Sequence, residues 1–95
     1  MKCCVGVMTC TLHLPHSHSL KDRRSAVNSI KERVRNKYNV SVSEEAGETW
    51  QIANMAFACV AVSERHVEAQ FGSIRALIEE DERVLMFDPR VDYYV

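Results

Sequence analysis

No apolar run in this sequence approaches the ~20 residues of a membrane-spanning helix, which argues against an integral membrane protein. Low-complexity segments are missing as well, no repeat is evident beyond two β-α-β halves, and glycine and proline are sparse, at three and two residues. A disordered or fibrous chain is therefore excluded. Met1-Lys2 leads straight into a strand-like run, without the apolar core and cleavage site of a secretion signal. The expectation is a cytoplasmic chain whose thiols stay reduced. The four cysteines agree with that expectation. Cys3 and Cys4 are adjacent in a strand and point to opposite faces, while Cys4 and Cys10 share a face but stand roughly 20 Å apart at strand rise. Neither pair can close a bridge within one straight strand, so these residues and Cys59 read as small buried hydrophobes.

What is present is an ordinary globular composition, 46% hydrophobic and 26% charged, in 95 residues. That suffices for one two-layer core, hence one domain over residues 1–95. Cys3 to Leu14 alternates, with Cys4, Met8, Cys10, Leu12 and Leu14 on one side and Thr9, Thr11 and His13 on the other, as a half-buried strand does. Pro15-His16-Ser17-His18 breaks it. Ser19 then reads as a helix N-cap, with Asp22 three residues on as in a capping box of shorter carboxylate. The helix runs to about Lys37, with Leu20, Val27, Ile30 and Val34 on one face and Ala26 at its margin.

Asn39 to about Glu45 alternates again, Val40 and Val42 against Ser41 and Ser43. After a turn at residues 46–49, Trp50 to Val62 is apolar on both sides, as a central strand is. Ser63 caps a second helix, with Val67, Phe71, Ile74 and Ile78 at helical spacing. The acidic run Glu79-Glu80-Asp81-Glu82 opposes the dipole at a helix C-terminus and stops the helix there. Val84 to Val95 forms the last strand, and Pro89 places it at a sheet edge. Two interleaved right-handed crossovers give an α+β, ferredoxin-like βαββαβ plait. Its four-stranded antiparallel sheet takes the order 4-1-3-2, with two helices on one face.

The net charge of −1 conceals a strong asymmetry. Residues 21–37 carry seven of the twelve basic side chains and two acids, whereas residues 38–95 carry four basic and eleven acidic groups. At 100° per residue, Lys21, Arg24, Asn28, Lys31 and Arg35 form a stripe beside the apolar face, suited to tracking a phosphate backbone. A solvated helix face and a surface for an acidic protein partner are the competing readings. Arg23 projects instead near the centre of the apolar face. A lone buried guanidinium is costly, so it should reach out at the helix end or pair with Glu44 or Glu45; a ligand-binding role is the alternative.

Catalytic and metal chemistry find little support. His16 and His18 flank Ser17 near His13, but no cysteine or carboxylate completes a tetrahedral set at recognised spacing. His18 and Ser19 do sit at a positive helix end, a natural anion site. Cys10 with His13 lacks an orienting third group, and residues three apart on a strand face opposite sides. No cofactor motif and no acid/base pair at useful spacing is evident, so an enzyme is not expected. Trp50, with Gln51, reads as a large residue closing the end of the core, or else as a partner anchor or a base-stacking platform. If the even positions of the first strand face the helices, Thr9, Thr11, His13, Ser41 and Ser43 face outward; which side of the third strand joins them stays open. Either side leaves apolar groups opposite the helices, which favours a sheet covered by a second copy of the chain. The aromatic-glycine signature of an RNA-recognition sheet is absent.

Three segments, Ser19-Leu20-Lys21-Asp22-Arg23-Arg24, Asn39-Val40-Ser41-Val42-Ser43-Glu44 and Trp50-Gln51, stand in ordered spacing. Together they resemble the YlxP-like family of small bacterial proteins of unassigned function. Thr49, preceded by Glu48, stands where that family usually has leucine. The resemblance implies a ferredoxin-like fold and a neighbourhood of translation and ribosome-maturation genes, with no catalytic residues. It marks Lys21, Arg23, Arg24, Trp50 and Gln51 as contact positions. The expected function is a non-enzymatic accessory factor that binds RNA or a ribosomal particle through the basic stripe. The alternative is a homodimeric interaction module without direct nucleic-acid binding.

Overall fold

The computed structural model describes residues 1–94 and has the expected element order. Strand β1 covers Cys4–His13, helix α1 Leu20–Lys37, strand β2 Val40–Ala46, strand β3 Ile52–Ala61, helix α2 Glu64–Glu79 and strand β4 Leu85–Tyr93. The strands pair antiparallel in the order β2-β3-β1-β4, the plait order read from its other edge. Val95, assigned above to the last strand, lies outside the described residues.

Strand alternation decides what enters the core. Cys4, Met8, Cys10 and Leu12 of β1 and Ala53, Met55, Phe57 and Cys59 of β3 are buried beneath the helices. The open question about β3 is thereby answered: Asn54, Ala56 and Ala58 belong to the outer face. Val27, Ile30 and Val34 of α1 and Val67, Phe71, Ile74 and Ile78 of α2 fill the layer between. Each such side chain contributes about 1.5–3 kcal/mol by leaving water. Gly6 sets how closely α2 approaches β1, because a Cβ there would stand 2.6 Å from Val67 Cγ1.

Both helices start where the sequence places them. Ser19 Oγ accepts from Asp22 N at 3.1 Å, and Ser63 Oγ accepts from His66 N at 3.3 Å. The Asp22 carboxylate accepts from His18 N at 2.9 Å, one residue before the cap. Leu20 departs from expectation: it is 49% exposed, and Arg23 occupies the place at the start of the apolar face. The start of the third strand also moves. Trp50 and Gln51 lie in the hairpin turn, because Ile52 N donates to Thr49 O at 3.2 Å and Gly47 N to Ile52 O at 3.1 Å. These turn bonds override the apolar run that made Trp50 look like strand. Pro89 sits in β4 at the sheet edge, next to Asp88 with φ 52°, where the register against β1 shifts between Thr9 and Thr11. An edge strand tolerates both the missing donor and the irregularity. Among the described residues, no helix is long and apolar enough to cross a membrane.

Candidate functional site

The basic stripe keeps its register along α1 but is not uniformly free. Lys21, Arg24 and Asn28 are exposed, with no side-chain partner among the described residues. Lys31 Nζ lies 3.5 Å from Glu44 Oε1, and Arg35 Nη2 donates to Val42 O at 3.4 Å. Glu44 reaches Lys31 because it belongs to the helix-facing row of β2, with Val40 and Val42. The N-terminal half of the stripe therefore carries the unengaged charge.

Arg23 does not find the carboxylate assigned to it. It is only 6% exposed, and its Nη1 donates to Thr49 O at 3.2 Å, while Nε is buried without any partner. Glu44 lies opposite Lys31, eight residues or roughly 12 Å further along the helix axis. Glu45 belongs to the outward row of β2. The ion pair predicted from sequence is ruled out by that distance and that alternation. A hydrogen bond from a charged donor contributes about 1.5–3 kcal/mol. Removing an ion from water costs several kcal/mol, so the Thr49 contact leaves the guanidinium undercompensated.

Arg23 lines a groove of about 590 Å³ between the start of α1 and the β2–β3 turn. His18, Leu20, Glu48, Trp50 and Gln51 are among the other residues of its walls. Trp50 is 48% exposed, so it does not close the core as expected but forms a face of this groove. Gln51 ties the two sides together: its N–H₂ donates to Pro15 O at 3.4 Å and Ser17 O at 3.5 Å, and its own carbonyl accepts from Leu14 N at 2.8 Å. Two of the segments that carry the family resemblance, far apart in sequence, thus meet at one end of the molecule.

The three histidines diverge. His13 stands on the outer sheet face against Phe87, ring centroids 6.2 Å apart. His16 lines a separate hollow of about 300 Å³ with Ser17, Asp22 and Arg83, whereas His18 faces the Trp50 groove. Among the described residues, no three His, Cys, Asp or Glu side chains gather as metal ligands would. The cysteines are free, and burial pushes the Cys10 thiol up to about 11, with Arg75 opposing. Burial raises Cys4 and Cys59 too. Such thiols are neutral near pH 7 and poor nucleophiles.

A cluster that sequence reasoning missed joins α1 to the α2–β4 connection. Asp81, 9% exposed, accepts from Arg33 Nη2 at 2.6 Å and from Arg83 Nη2 at 2.7 Å. It also accepts from Arg83 Nε and N, each at 3.0 Å, and Arg83 reaches Ser29 Oγ at 3.1 Å. These bonds, Arg83's first, hold the Asp81 carboxyl well below the usual carboxylate range against the opposing effect of burial. The available signal was the Asp-x-Arg spacing at residues 81–83, which suits a carboxylate accepting from the backbone two residues on.

The outer sheet face has a different character. Thr9, Thr11, Ser43, Glu45, Asn54 and Arg90 line a shallow hollow there, and Thr11 Oγ1 donates to Asn54 Oδ1 at 3.0 Å. Val60, Leu85 and Phe87 are exposed on the same face. Glu45 and Asp92 offset Arg90, so this face offers a polyanion no net attraction.

A family model described as "Protein of unknown function (DUF503)" matches residues 5–91. The chain is 33% identical over 76 residues to the "Uncharacterized protein YlxP" of Bacillus subtilis (strain 168), covering 79% of this chain and 83% of that one. Among solved structures, it is similar to a structural-genomics protein, YJCS, at 11% identity and TM-score 0.59, over 93% of this chain and 96% of that one. It is also similar to the ACT domain from GTP pyrophosphokinase of Chlorobium tepidum, at 10% identity and TM-score 0.59, over 99% of this chain and 89% of that one. At such identities the two structures attest the fold alone, an open ferredoxin-like plait.

Proposed function

Since the chain belongs to the DUF503 family of proteins of unknown function and is YlxP-like over most of its length, we propose that it is a non-enzymatic accessory factor of the bacterial cytoplasm that binds RNA or a ribosomal particle through the exposed flank of α1. The observation that carries this reading is the placement of Lys21 and Arg24, with Asn28, on open surface without an internal counterion among the described residues. The charge asymmetry supports it: most acids lie beyond residue 37, and the nearest one engaged with the stripe is Glu44. Phosphates meeting that flank would release counterions, so affinity falls steeply as salt rises. The YlxP-like resemblance, with its implied translation neighbourhood, points to the same class of partner.

Co-sedimentation with ribosomal particles at two ionic strengths, followed by titration of a ribosomal RNA fragment, tests it. Changing Lys21, Arg24, Lys31 and Arg35 together to Glu should weaken RNA binding by at least tenfold and flatten its salt dependence. Unaltered binding in that variant removes the stripe from consideration. A second reading, a homodimeric interaction module that pairs through its sheet, is favoured by the exposed Val60, Leu85 and Phe87 on the outer face. A stable dimer in the ultracentrifuge, combined with no RNA affinity at moderate salt, would support it over the first.

A further inference from the structure

The groove between α1 and the β2–β3 turn holds a charge the protein does not balance. Arg23 forms part of its wall, 94% shielded from water, with one backbone carbonyl for a partner and an Nε that has none. The positive end of the α1 dipole points the same way, and helix starts of this kind accept oxyanions. Asp22 does not neutralise the site: its carboxylate accepts from His18 N and lines the neighbouring hollow instead. Glu48 is the one carboxylate on the groove wall, and no ion pair joins it to Arg23 among the described residues. Beside the buried cation stand two half-exposed apolar surfaces, the Trp50 indole and Leu20. A ligand that satisfies both features carries an oxyanion at one end and a flat, weakly polar ring at the other. Aromatic platforms stack nucleic bases of any sequence, because every base presents a flat π face.

The geometry points to a binding site for one nucleoside monophosphate unit, with its phosphate at Arg23 and the start of α1 and its base on Trp50. The unit is either a free nucleotide or an unstacked residue of the RNA considered above; in the second case the inference rests on that reading. Carboxylate ligands satisfy Arg23 equally well but leave the indole unused.

Trp50 is the chain's single tryptophan, so its fluorescence reports on this groove alone. Adenosine 5′-monophosphate should quench it saturably, at concentrations at least tenfold below those needed for adenosine or ribose 5-phosphate. Arg23→Met should weaken the response tenfold or more. Leu20→Glu places a carboxylate at an exposed first-turn position that the fold tolerates, and should do the same even if the Arg23 variant does not fold. Glu48→Gln should strengthen binding severalfold by removing the repelling charge. Equal responses to adenosine and its monophosphate, or an unchanged response in Leu20→Glu, overturn the site. A single-stranded oligoadenylate that binds at least tenfold more tightly than the mononucleotide assigns the unit to RNA, and equal affinities assign it to a free nucleotide. The triple variant Arg24→Glu, Lys31→Glu, Arg35→Glu should leave the mononucleotide response within twofold. Failure of RNA binding along the stripe is thereby separable from failure of the groove.

Discussion

Arg23 and Asp81 are both charged, both nearly inaccessible to water and both placed where α1 meets a loop, yet their surroundings are opposite. Asp81 accepts hydrogen bonds from two guanidinium groups and one backbone N–H, while Arg23 holds a single carbonyl and keeps a buried Nε unsatisfied. A buried ion with that many good partners consolidates a fold, and one without a counterion weakens it. The first arrangement ties α1, the end of α2 and the start of β4 into one unit. The second leaves the guanidinium undercompensated, and the proposed anion would supply the missing charge. Uncompensated burial singles out one residue, whereas surface charge singles out a whole helix flank.

The sharpest way to break this comparison is Asp81→Asn. Breaking a buried pair costs about 3–5 kcal/mol, and because Arg33 and Arg83 are themselves nearly half exposed, screening reduces the expected loss to about 2 kcal/mol. Denaturant unfolding at neutral pH measures it. The folded carboxyl titrates below its unfolded value of ~3.9, so its contribution is complete above about pH 5 and disappears as the pH falls through the folded value. Wild type and variant should converge in acid; a gap that widens there contradicts the pairing. Arg23→Met should act with the opposite sign. Substituting an apolar side chain of similar length removes the undercompensated charge, offset by the lost donor to Thr49 O, for a net gain between zero and about 2 kcal/mol. A loss exceeding 1 kcal/mol would show that the guanidinium is structurally satisfied after all. The smallest effect is expected at Lys31 and Glu44. Their coupling in a double-mutant cycle should be about 0.5 kcal/mol and fade with added salt, since a 3.5 Å pair near the surface is weakly held.

Most of the fold was legible because strand alternation, helical spacing, the Ser19 and Ser63 caps and the edge-strand Pro89 all point to one topology. The misreadings have local causes. Leu20 fits the helix periodicity but belongs to the first turn, where the chain has only begun to cover the sheet, so it stays half exposed. Trp50 extends an apolar run, yet the hydrogen bonds of the turn claim the residues on either side of it. Glu44 does face α1, but it lies opposite Lys31 and not Arg23, and that depends on the register between helix and strand. The stripe was readable in full, but its partial engagement by Glu44 and by the Val42 carbonyl was not.

By itself the sequence determined the element order, the inward faces of β1, α1 and α2, and the concentration of positive charge on one helix. All of these follow from periodicities of two and 3.6 residues that each segment carries alone. Only the tertiary structure decided that β3 turns Met55, Phe57 and Cys59 inward, that Asp81 gathers Arg33 and Arg83, and that Arg23 shares a groove with Trp50 without an ion pair to any carboxylate among the described residues. Those outcomes depend on strand register and on which loops come together, and neither is encoded in the local pattern of any single segment.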